Sequence, residues 1–110
     1  MATSTYKVLG QVNPAATTLT TLYTVPASTS AVVSTIAIAN QAGSSGTYRI
    51  AIRPAGATID PKHYLVYGAT VAASDSVLLT LGVTLATTDV ISVYGSSANI
   101  SFSAFGSEIS

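Results

Sequence analysis

The chain has 110 residues, with four Lys+Arg against four Asp+Glu and a formal net charge of zero. Charged residues make up 7 % of it, against about 25 % in typical soluble domains. That length builds one domain with one core; it lacks the clustered Lys/Arg that nucleic acid demands, and having no Cys it excludes a disulfide framework, a thiolate nucleophile and a thiolate metal site.

Other classes fall on patterning. Ser and Thr interrupt every apolar run well short of the ~20 residues of a spanning helix. A membrane barrel would need about eight strands of ~9–11 residues with aromatic girdles, more than this chain supplies. MATSTYKVLG has no basic segment followed by an apolar one, so no signal peptide is expected and the protein reads as soluble and made outside the secretory route. A surface so poor in charge protects a monomer badly against association. Much of it is therefore expected to be covered by further copies or partners, the alternative being a monomer kept soluble by Ser and Thr.

In chain order, Met1 to Ser4 is a polar lead-in, expected to act as an arm. Tyr6 to Gln11 reads as a strand, broken at Asn13-Pro14 because proline removes a donor and restrains its predecessor. Thr18 to Val25 alternates, with Leu19, Thr21, Tyr23 and Val25 on one side, and Pro26 to Ser30 is a turn. From Val32 to Asn40 the residues Val32, Ser34, Ile36, Ile38 and Asn40 alternate with Val33, Thr35, Ala37 and Ala39, the period of two that marks a strand. Gln41 to Gly46 supplies a Gly/Ser turn. In the strand that follows, Tyr48, Ile50 and Ile52 face one way, and Thr47, Arg49, Ala51 and Arg53 the other. These two strands are expected to form a β-hairpin.

Arg53-Pro54-Ala55-Gly56 stops that strand, and Lys62 to Tyr67 resumes as another. Gly68 to Ser76 is a connection with room for a short strand at Thr70-Val71. Val77, Leu79 and Leu81 share a face, Gly82 breaks or kinks the run, and Val83 to Leu85 continues it. Val90 to Tyr94 and Asn99 to Phe105 are the last strands, and Phe105 to Ser110 is expected to act as a second arm. Seven to nine short strands with frequent turns and no helical period predict an all-β fold. It is a single antiparallel β-sandwich spanning residues 1–110, jelly-roll-like or immunoglobulin-like.

No catalytic constellation is visible. His63 is the only histidine; a hydrolytic or metal site needs several converging partners, so it is expected to pack while one nitrogen bonds backbone or water. Arg49 and Arg53 share a face and are expected to pair with carboxylates, within the chain or across an interface, from among Asp60, Asp75, Asp89 and Glu108. Asp75 and Asp89 stand at turns, where carboxylates accept local N–H bonds. Tyr23, Tyr48, Tyr64, Tyr67 and Tyr94 suit core edges or interfaces, although tyrosines also stack on sugars. No catalytic, metal-binding or cofactor-binding residue is expected, nor any cofactor.

A set of segments carries a resemblance. Tyr6-Lys7-Val8-Leu9-Gly10-Gln11, Leu22-Tyr23-Thr24-Val25-Pro26-Ala27, Arg49-Ile50-Ala51-Ile52-Arg53-Pro54-Ala55-Gly56, Lys62-His63-Tyr64-Leu65 and Phe105-Gly106-Ser107-Glu108-Ile109 together resemble small virion structural, tail-fibre-like proteins of tailed bacteriophages, especially those of cyanobacteria. The resemblance spans nearly the whole chain and brings no catalytic residues. It implies a non-enzymatic virion protein, assembled in the bacterial cytoplasm, that joins further copies of itself and other virion proteins. The leading expectation is a symmetric oligomer, a trimer, in the tail, baseplate or fibre region. A capsid decoration (cement) protein is the second, and a module binding a host receptor or glycan the third. Arg49, Arg53, Tyr64, Tyr67, Phe105, Glu108 and Ile109 are the expected interface residues, with Phe105 and Ile109 on the C-terminal arm.

Overall fold

The computed structural model describes residues 3–110, with Leu81 described in its backbone alone. Among them are eight strands: β1 (Ser4–Val12), β2 (Thr20–Thr24), β3 (Ser30–Asn40), β4 (Gly46–Arg53), β5 (Tyr64–Val71), β6 (Ser76–Leu85), β7 (Val90–Gly95) and β8 (Ile100–Ile109). They form two four-stranded sheets, ordered β1-β8-β3-β6 and β2-β7-β4-β5, with every pairing antiparallel. The nested pairs β1·β8, β2·β7, β3·β6 and β4·β5 describe one long hairpin rolled into a sandwich. This is the jelly roll, and it decides between the two expected topologies.

The core is the inward half of each alternation. Val33, Ile36, Ile38, Ile100 and Phe102 from one sheet meet Tyr48, Ile50, Ile91 and Val93 from the other, all essentially buried. Tyr48 and Phe102 close edge to face across the gap, ring centroids 6.3 Å apart, a favoured aromatic geometry.

The expected β3–β4 hairpin does not form. The two strands lie in different sheets, and residues 41–45 carry the chain across the sandwich rather than back along it. Buried Asn40 makes this corner. Its Nδ2 donates to the carbonyls of Ser44, Val71 and Ala72, while its Oδ1 accepts the Ala42 N–H. Alternation reports which side chains face inward, and it is blind to which strand is the neighbour.

A bulge also corrects the expected faces of β3. Pairing with both neighbours shifts between Val33 and Thr35, so Ser34 is extra and Val33, not Val32, enters the core beside Ile36 and Ile38. On β6 the same shift sets Leu81 and Gly82 opposite that one residue, the kink expected at Gly82.

The expected terminal arms are strands. β8 runs on to Ile109 between β1 and β3, and Thr3 and Ser110 exchange two backbone hydrogen bonds beyond it. Of the lead-in expected to be an arm, Met1 and Ala2 lie outside the described residues. Gly106 makes the central position possible, because a Cβ there would collide with the Val32 carbonyl oxygen. Each strand at a sheet edge, β1, β2, β5 and β6, carries a register shift. Bulged edges are poor templates for another strand.

Candidate functional site

The connection from β4 to β5 is the longest excursion in the fold, and it lies over the outer face of the β2-β7-β4-β5 sheet. It holds two short 3₁₀ turns, Pro54–Gly56 and Pro61–His63. Arg53 pins its first half: Nε donates to Ser92 Oγ at 3.1 Å and a terminal nitrogen to the Ala57 carbonyl at 3.1 Å. Asp89 holds the same turn, one carboxylate oxygen accepting the Ala55 N–H and the other the Ala86 N–H, each at 2.9 Å. Ala55 needs this help, since its φ of 52° lies in the left-handed region that costs a residue with a Cβ. Beneath this cover Ala51, Val90 and Ser92 are buried although they point away from the core.

Asp60 and His63 cap the second turn reciprocally. Asp60 Oδ1 accepts the Lys62 N–H at 3.2 Å, and His63 Nδ1 accepts the Asp60 N–H at 3.1 Å. His63 is thus a buried ring with a nitrogen on backbone, as expected, though it stands in a turn rather than in a strand. Among the described residues no group of three or more His, Cys, Asp or Glu could hold a metal ion.

Beside this cover lies an aromatic cluster set by strand register. Arg49 of β4 stands opposite Tyr94 of β7 and Tyr67 of β5. Its guanidinium carbon lies 4.1 Å from each ring centroid, a double cation–π contact. Tyr64 meets Tyr67 at 89° with centroids 4.9 Å apart. Tyr64 and Tyr67, with Ile59, Asp60 and Pro61, line an open cleft of about 560 Å³, within the ~300–1,000 Å³ span of small-ligand sites.

Four of the expected site residues, Arg49, Arg53, Tyr64 and Tyr67, thus share one sheet face, yet the two arginines do different things. Neither meets a carboxylate within the described residues, where the one ion pair is Lys7–Glu108. Arg53 secures the covering loop; Arg49 fills the gap between two rings. Ile59 and Pro61 were not singled out by sequence reasoning, because only the folded loop brings them against the tyrosines.

The other three expected residues belong to the opposite sheet. Phe105 and Ile109 lie on β8, paired on both sides. Glu108 turns inward: its carboxylate accepts from the Tyr23 hydroxyl of the facing sheet and from Lys7 Nζ at 3.0 Å. These two bonds, Tyr23's first, hold the Glu108 pKa below the usual glutamate range. Burial, the bond to Glu108 and its negative charge push the Tyr23 pKa well above the ordinary tyrosine value. The outer face of this sheet offers a different surface. Tyr6, Val8 and Leu78 stand 86 %, 47 % and 66 % exposed. The sheet's only charged residues, Lys7 and Glu108, are spent on each other.

No protein-family model matches the chain, and no curated protein matches it. Among solved structures, a chain in the structure of infectious bursal disease virus Gx strain is similar over 99 % of this chain, with a TM-score of 0.50 and 12 % identity. This chain spans 31 % of that one. At that identity the likeness concerns the fold.

Proposed function

We propose that the protein is a non-enzymatic structural subunit of a virus particle, that of a tailed bacteriophage, and that it forms a symmetric oligomer, a trimer, in the tail, baseplate or fibre region. The observation that carries this reading is the outer face of the β1-β8-β3-β6 sheet, four strands wide and without an unpaired charge. Exposed Tyr6, Val8 and Leu78 on such a face support its being covered by a neighbour. The bulged edges favour association through sheet faces over strand addition. Support of a coarser kind comes from the similar chain in a virus structure.

A second reading, a capsid decoration protein, draws on the fold itself, since jelly rolls recur in viral capsid domains; that is an argument by analogy. Quantitative mass spectrometry of purified particles against the major capsid protein separates the two. A ratio of a few per cent is expected for the tail position, and a ratio near one, or a simple fraction of it, for decoration. Absence of the chain from particles overturns both.

A further inference from the structure

We infer that the cleft between Tyr64, Tyr67 and the 59–61 segment is a binding site for a neutral sugar ring. Its aromatic wall is built rather than incidental. Tyr67 is 65 % exposed, yet Arg49 holds it on one side and Tyr64 meets it at right angles. A large ring kept rigid in water is what a sugar's apolar C–H face requires, because the ordering cost is met before binding. The polar partners stand beside it. Asp60 lines the same cleft as the two tyrosines, and its carboxylate, which accepts the Lys62 N–H through Oδ1, keeps lone pairs for further donors. A carboxylate oxygen beside an aromatic wall accepts hydroxyls from the rim of a sugar as the ring face stacks.

The other classes of occupant fit less well. The Asp60 carboxylate lines the cleft and the Arg49 charge is capped by two rings, so the site has little pull on an anion. A peptide added as a strand would have to pair along β5, whose ladder is broken at two places, and strand addition needs a regular edge. An aliphatic ligand would strand the Asp60 carboxylate against apolar surface.

The site is independent of the place of the protein in a particle, and it is tested on the full chain in isolation. The ¹⁵N-labelled protein is titrated with glucose, galactose, N-acetylglucosamine, lactose and chitobiose while backbone amide shifts are followed. At least one sugar is expected to give saturable shifts confined to residues 59–67, Arg49 and Tyr94, with a Kd of about 1 mM. Tyr67→Ala is expected to weaken that binding roughly tenfold or more, a loss of about 1.4 kcal/mol. Asp60→Asn, which keeps the acceptor for Lys62, is expected to weaken it several-fold without moving the thermal midpoint. Leu78→Ala, on the opposite sheet, is expected to leave it unchanged. Absence of saturable shifts with every sugar, or shifts that survive Tyr67→Ala and Tyr64→Ala, overturns the inference and leaves the particle reading standing.

Discussion

The Tyr23 hydroxyl donates to Glu108 across the gap between the two sheets at 2.5 Å, and Lys7 holds the other carboxylate oxygen. A carboxylate whose pKa is lowered on folding binds its proton more weakly folded than unfolded. The stability it contributes is full above its unfolded pKa of about 4.3 and is lost as pH falls through the lower folded value. Glu108→Gln is therefore expected to lower the melting temperature at pH 7 and to converge with wild type in strong acid. A gap that stays constant with pH would show that Glu108 acts only through packing.

Tyr23→Phe tests the same contact from the other sheet. Removing the donor leaves a partly buried carboxylate with Lys7 alone, a loss of about 1–3 kcal/mol. Lys7→Met should cost less, since Lys7 is half exposed and such pairs contribute about 0–1 kcal/mol. Urea denaturation of both variants and of the double variant measures the order, and an equal or larger loss for Lys7→Met would reverse it.

Asn40 is the second polar anchor of the sandwich. Asn40→Ala removes the group that satisfies three carbonyls and one N–H at the β3–β4 corner and the β5–β6 link. A loss of about 2–4 kcal/mol is expected, because buried backbone groups left unpaired cost more than the bonds contributed. Retention of full stability in urea would mean that water reaches these groups.

Glycine positions divide sharply. A Cβ at Gly106 or Gly10 would collide with the backbone carbonyl of Val32 or Leu22, whereas one at Gly43 meets nothing within 4 Å. Gly106→Ala and Gly10→Ala are expected to cost about 2–4 kcal/mol, as strained overpacking does. Gly43→Ala is expected to stay within about 0.5 kcal/mol of wild type. Comparable melting temperatures for all three would contradict the close approach of β8 to β3 and of β1 to β2.

These anchors explain what was legible in the sequence. The all-β class, most strand positions and the opposed faces of β4 follow from alternation, which is local chemistry. Asp89 and His63 also behave as their neighbours suggest. The pairing of β3 with β6 and β8 was not legible, because the corner at Asn40 looks in sequence like any Asn before a Gly/Ser turn. Nor was the extension of β8 through Gly106, where glycine reads as a terminator until the Val32 carbonyl is seen beside it. The cleft was half legible: Arg49, Tyr64 and Tyr67 stood out by type, but their assembly depends on β4–β5–β7 register and on a loop pinned by Arg53.

The uncharged sheet face makes the most direct prediction about assembly. Val8 and Leu78 lie on opposite edge strands of the β1-β8-β3-β6 sheet and are well exposed. Replacing either by Lys removes no core contact and should shift stability by no more than about 0.5 kcal/mol. If a neighbour covers this face, each lysine would be buried there without a partner, a loss that an interface of ordinary size does not tolerate. Val8→Lys and Leu78→Lys are therefore expected to melt like wild type yet to sediment as monomers and to be excluded from particles. Tyr67→Ala, on the other sheet, should assemble normally. Wild-type sedimentation and incorporation of both lysine variants would remove this face from the interface and, with it, the observation on which the structural role rests.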